Sequence, residues 1–177
     1  MPSSSIPRPT PADYAPGFGE YISLVPDGDV LRFLAQQLKD LLLLLSNVSE
    51  QDALIRHAPY TWSIKQVIGH IIDTERIFAY RALRIARNDP TPLASFEQDD
   101  YVKFADFDSV PLGELLQELT HVRESNRLLF QHVPQGAWLH RGVVNNHPAT
   151  AGAFVYAIAG HTRHHLDILH KRLALPK

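Results

Sequence analysis

Residues 63–89 read SIKQVIGHIIDTERIFAYRALRIARND, and this stretch decides the fold class. Ser63 followed by Gln66 has the pattern of a capping box, in which each side chain satisfies the other residue's orphan backbone N–H. From there Ile64, Val67, Ile68, Ile71, Ile72, Phe78, Ala82 and Ile85 recur mostly at steps of three and four, the spacing of one helix face. The helix should close near Asn88, because Pro90 biases its predecessor away from helical conformations.

Three other segments carry the same signature. Towards the N-terminus, Leu31, Leu34, Leu38, Leu41, Leu42 and Leu45 follow Asp29, a suitable N-cap, and Ser46 with Asn47 marks the end. Towards the C-terminus, Leu112, Leu115, Leu116, Leu119, Val122 and Leu129 predict a helix over 111–132, with Ser109 as the expected cap and Pro134 and Gly136 as breakers. The last helix starts after Thr150 and aligns Phe154, Ala157, Ile158, His161, His165, Ile168, Leu169 and Arg172 on one stripe. It should end near Leu173, ahead of Pro176. No alternating strand pattern is visible between these segments. The chain therefore reads as all-α, a four-helix bundle over residues 29–177. Residues 1–28, rich in Pro, Ser and Gly, read as an extended N-terminal arm, frayed over its first ten or so residues, that packs Tyr14, Phe18 and Tyr21 on the body.

Composition narrows the function. The 177 residues are 45% hydrophobic and 20% charged, with a formal net charge of −2, which argues against a nucleic-acid partner. The local cluster Arg76, Arg81, Arg84 and Arg87, interleaved with Glu75 and Asp89, reads as a solvated face. With no cysteine, the chain has no disulfide, iron–sulfur cluster or thiol nucleophile, so any metal rests on histidine and carboxylate. The longest aliphatic run, residues 41–45, is far short of a membrane span, and the first residues lack the apolar core of a signal peptide. The expectation is a cytoplasmic protein without a membrane partner.

Ten histidines stand in the chain. His161 and His165, four residues apart on a helix, emerge from one face about 5–6 Å apart at Cβ, and two imidazoles so placed can reach a common metal at roughly 2.0–2.1 Å. Both fall near the centre of the apolar stripe, where an unsatisfied ring nitrogen costs on the order of 1–3 kcal/mol. Core histidines hydrogen-bonded to neighbours are the competing reading. His70 is a natural third ligand from the second helix, although spacing alone does not single it out from His57, His121 or His132. Glu75 also sits mid-stripe, as a fourth ligand, a partner for an imidazole, a general base, or one half of an ion pair with a nearby arginine at the bundle surface.

Three motifs in order resemble one family. The run Trp62 to Asp73, the Asn88-Asp89-Pro90-Thr91-Pro92 loop, and His147-Pro148 followed by Gly160-His161-Thr162-Arg163-His164-His165 are similar to the DinB/YfiT-like proteins of the DinB superfamily, over roughly residues 30–173. The resemblance implies a four-helix bundle, a homodimer, and one divalent metal, zinc or nickel ahead of manganese or iron, held by His70, His161 and His165. It also implies a metal-dependent hydrolase or a thiol S-transferase using a low-molecular-weight thiol, acting on a small-molecule substrate.

Three histidines leave a coordination position for water or substrate, as catalytic metal sites do. Glu75 or Asp73 is then the candidate base or orienter. Two other classes stand beside the enzyme: a non-catalytic, stress-related metal- or small-ligand-binding protein, and a purely structural protein with no metal. A serine-triad hydrolase lacks its Gly-x-Ser-x-Gly elbow, and a di-iron bundle lacks its Glu-x-x-His pairs.

Overall fold

In chain order the structure, a computed structural model that describes residues 5–175, runs α1 (Gly19–Ser23), α2 (Val30–Leu45), α3 (Glu50–Ala53), α4 (Ile64–Ala86), α5 (Gln98–Phe104), α6 (Leu112–Gln131), β1 (Arg141–Val144), β2 (His147–Thr150) and α7 (Ala151–Leu173). Three of the four long helices start where the sequence places a cap. Asp29 accepts from the N–H groups of Leu31 and Arg32, Ser63 and Gln66 close the capping box, and Thr150 accepts from Ala153.

The fourth start differs from expectation. Ser109 belongs to a 3-10 turn (Phe107–Ser109) and its hydroxyl donates to the Asp106 carbonyl, so it caps nothing. Pro111 occupies the N-cap position of α6, and Glu50 from α3 accepts the Leu112 N–H at 2.8 Å while pairing with Lys65 at 2.6 Å. A tertiary contact thus does the work of the local cap.

Around the bundle, α2 lies beside α6 and α7, and α4 lies beside the same two helices from the opposite corner. The first two long helices are therefore diagonal rather than neighbours. Long connections, residues 46–63 and 87–111, make that topology reachable.

A two-stranded antiparallel hairpin, with Arg141 opposite Thr150 and Val144 opposite His147, corrects the strand-free expectation. Its turn residues Asn145 and Asn146 have φ of 48° and 63°, the left-handed pair that a tight type I′ hairpin turn needs and asparagine tolerates. The strands are too short, and Gly142 and Pro148 too unlike strand formers, to show an alternating pattern. The hairpin is anchored by Leu93, whose N–H donates to Val143 and whose carbonyl accepts from Asn145.

The N-terminal arm is less extended and better fastened than expected. It folds through 3-10 turns at Pro11–Asp13 and Pro16–Phe18 into α1. Ile6 is buried, and Arg8 donates to the carbonyls of Val25 and Ile22 at 2.9 and 3.1 Å, so residues 6–8 are tied to the body. The first four residues of the arm and Pro176, the expected stop, lie outside the described residues.

Two apolar cores fill the bundle. One gathers Phe78, Ala82 and Ile85 of α4, Phe154 to Ile158 of α7, the arm and the hairpin. The other gathers Ile64, Val67, Ile68, Ile71 and Ile72 of α4 with leucines of α2, α6 and α7. Between them runs a buried polar band of Gln37, His70, Thr74, Glu75, Arg123, His161, Thr162 and His165. Buried polar groups are costly unless satisfied, so this band is where chemistry should be sought.

Candidate metal centre

The structure brings His70 of α4 against His161 and His165 of α7, and all three are buried. The Nε2 atom of His161 lies 2.9 Å from Nε2 of His70 and 3.1 Å from Nε2 of His165. The ligand atoms of the three residues all fall within 4.8 Å of one another. A tetrahedral ion bound at about 2.0–2.1 Å separates its nitrogens by about 3.3 Å, so His161 needs to draw back from each of its two neighbours by only a few tenths of an ångström.

The donor set fits a cation on its own terms. A proton shared between two ring nitrogens satisfies one pair and leaves the third lone pair facing its neighbours, whereas a cation satisfies all three. The tautomer required is supported at His70, whose Nδ1 lies 3.4 Å from the Thr74 hydroxyl and leaves Nε2 free to ligate. Burial, with repulsion from His164, lowers the pKa of His70 to about 4. Burial first, and then mutual repulsion, holds His161 and His165 well below the ordinary imidazole value. Neutral imidazoles are the form that binds metal. His57, His121 and His132 stand apart from the group.

Glycines precede two of the three ligands, and each admits a close neighbour. A Cβ on Gly160 would lie 1.9 Å from the Tyr21 carbonyl oxygen, and one on Gly69 would lie 2.4 Å from the Phe107 ring. Their absence lets α1 press Tyr21 edge-on against His161, with ring centroids 5.5 Å apart. Trp62 covers His70 at 4.9 Å.

Glu75 faces away from the three rings, about 140° around α4 from His70. It is buried and held by Arg123, whose Nε donates to both carboxylate oxygens at 2.8 and 3.0 Å and whose Nη2 donates to Oε2 at 2.8 Å. The ion pair lies in the bundle core rather than at its surface. Arg123 also donates to the Leu34 carbonyl and to the hydroxyl of Thr162, the residue after His161. Asp73 is half-buried beside Arg76 and Glu118, and its pKa is raised by burial against the opposing pull of Arg76.

Two cavities reach the histidines, each at a different one. The larger, about 400 Å³, reaches His161 and is lined by Tyr21, Phe78, Arg81, Phe96 and Phe154 among others. The smaller, about 290 Å³, reaches His165 and is lined by Tyr60, Trp62 and Arg172. Asp99, exposed at the start of α5, lines both, whereas Glu75 and Asp73 line neither. Sequence reasoning missed Asp99, which carries no periodic signal. It also placed Arg81 on a solvated face, although the residue is only 5% exposed. The stripe that holds His70, Thr74 and Phe78 passes through Arg81 at about 100° per residue, and that signal could have found it.

The fold is a helical bundle whose three buried histidines are grouped closely enough to hold a metal ion. The chain belongs to the DinB superfamily, whose profile matches residues 34–169. Its structure is similar to that of YfiT from Bacillus subtilis, described as a probable metal-dependent hydrolase with an unusual four-helix bundle topology. The TM-score is 0.74 at 13% identity, covering 93% of this chain and 95% of that one. It is also similar to a mycothiol-dependent maleylpyruvate isomerase, with a TM-score of 0.68 at 12% identity, covering 84% of this chain and 62% of that one. No curated protein matches by sequence. Among the described residues no helix is long and apolar enough to cross a membrane.

Proposed function

We propose that this chain is a metal-dependent enzyme that binds one divalent ion through Nε2 of His70, His161 and His165 and activates water or a thiol, as a hydrolase or thiol S-transferase. The observation that carries the reading is the convergence of three buried, neutral imidazoles, two of which each line a cavity. Imidazole ligands favour zinc or nickel over manganese. A metal held by three protein ligands keeps a position open and supplies Lewis acidity, lowering the pKa of a bound water or thiol.

The chain's own residues supply the rest. Thr74 orients His70 through Nδ1. Glu75 acts as a positioning residue, since the Glu75–Arg123–Thr162 chain fixes the turn of α7 that carries His161. Asp99, which borders both cavities, is the carboxylate we assign to exchange protons with a group at the histidines. Tyr21 and Trp62 limit water at the rings. The two neighbours' descriptions, one hydrolytic and one thiol-dependent, support either branch of the chemistry.

One observation favours binding without turnover: Glu75, the most buried carboxylate near the site, is fully engaged by Arg123. A screen separates the two readings. Protein stripped by chelation and reloaded with zinc, nickel or manganese is assayed on esters, amides and thiol-acceptor pairs. The enzyme reading expects turnover in the reloaded protein and none in the stripped protein or in His161→Ala. Identical rates with and without metal would refute it.

A further inference from the structure

The larger cavity contains an arginine without a counter-ion. Arg81 is 5% exposed, yet among the described residues no carboxylate lies within ion-pair distance of it. Its guanidinium donates one hydrogen bond, from Nη2 to the Ala94 carbonyl at 2.7 Å. Three aromatic rings surround it, Phe78, Phe96 and Phe154, with the guanidinium carbon 5.6–5.8 Å from each ring centroid. A buried cation is ordinarily paired, and five N–H donors in a rigid fork match a carboxylate bidentately. Burial lowers the Arg81 pKa, though arginine stays charged in proteins, so the unpaired charge persists.

The position of Arg81 relative to the histidines adds a direction. His70, Thr74, Phe78 and Arg81 form one stripe on α4, and the cavity that Arg81 lines ends on His161. The rise between the Cα atoms of His70 and Arg81 is roughly 16 Å along the helix, shortened by the lean of the Arg81 side chain towards the helix N-terminus. The intervening wall is Phe78 and Phe154, and the Phe78 ring lies 6.3 Å from that of His161. The two acidic liners, Glu97 and Asp99, are exposed and screened by solvent.

We propose that the cavity selects a small amphipathic carboxylate, anchored by its carboxylate on Arg81, with an apolar body along Phe78 and Phe154 and its reactive end at His161. This deepens the enzyme reading by naming the substrate class, and it rests on that reading only for the reactive end. A cavity of about 400 Å³ is ample for a molecule of ten to a dozen heavy atoms.

The test is calorimetric titration of metal-free protein, so that a carboxylate merely ligating an ion gives no signal. The probe is 3-phenylpropionate, with its uncharged amide, 3-phenylpropanamide, as comparison. The acid should bind at least about tenfold more tightly than the amide. Arg81→Met should erase that preference while leaving amide binding within about twofold, and Arg81→Lys should retain part of it. Equal binding of acid and amide by the wild type would overturn the proposal. So would a preference that survives in Arg81→Met, or no saturable binding of either compound at about 10 mM. If Arg81→Met does not fold, the wild-type comparison and Arg81→Lys still decide. A protein that prefers the acid but holds no metal keeps this proposal and refutes the metal reading, and the converse result does the opposite.

Discussion

Replacing Gly160 by alanine should destabilise the protein, against the sign that helix propensity alone dictates. Gly160 lies in the interior of α7, where alanine is favoured over glycine by about 1 kcal/mol. The added Cβ, however, would lie 1.9 Å from the Tyr21 carbonyl oxygen, 2.3 Å from its carbon and 2.9 Å from its Cα. These are backbone atoms, so no rotamer change relieves the clash. To restore an ordinary carbon–oxygen contact of about 3.2 Å, α1 must lift from α7 by about 1.3 Å. Such overpacking costs typically 1–3 kcal/mol, which in a chain of this size lowers Tm by roughly 2–12 °C. The lifted segment carries Ile22 and the Tyr21 ring against His161, so the arm should also become sensitive to limited proteolysis. Gly113→Ala is the control: it is helical and exposed, and its Cβ would meet nothing within 4 Å. It should be neutral or slightly stabilising. Thermal unfolding of both variants decides the matter. A Gly160→Ala protein as stable as the wild type, or more so, with its arm still protected, would refute the close approach of α1 to α7.

Two further predictions concern the polar band. Arg123→Met leaves Glu75 buried without its partner and should cost about 3–5 kcal/mol in urea unfolding, and a loss under 1 kcal/mol would remove Glu75–Arg123 from the core of the account. The metal-free protein should lose stability on acidification. His70 binds a proton near pH 6.5 when unfolded but only near pH 4 when folded, so its contribution is intact above 6.5 and falls by about 3 kcal/mol as pH drops to 4. His161 and His165 act in the same direction. Unfolding curves between pH 7 and 4 that are flat, or that rise, would contradict the buried neutral triad.

The long helices were legible because their caps and stripes are local: Asp29, Ser63 with Gln66, and Thr150 each satisfy backbone donors within three residues. The start of α6 was not legible, since Glu50 caps it from another helix. The hairpin escaped because four-residue strands give too few positions for alternation, and its signal was the Asn145-Asn146 pair. His161 and His165 announced themselves by facing an apolar stripe, whereas His70 was singled out from its alternatives only by the family resemblance. Arg81 was misplaced because an arginine among other charged residues looks solvated, and rings from α7 and from the loop carrying Phe96 join Phe78 in burying it. Asp99 becomes significant only once α5 packs near α4.

The most direct test of the central claim is elemental analysis of untagged protein after incubation with zinc, nickel or manganese, for the wild type and for His70→Ala, His161→Ala and His165→Ala. The account predicts about one divalent ion per wild-type chain, lost in all three variants while helicity is retained. A wild type that holds no metal, or a His161→Ala variant that keeps a full equivalent, would contradict it.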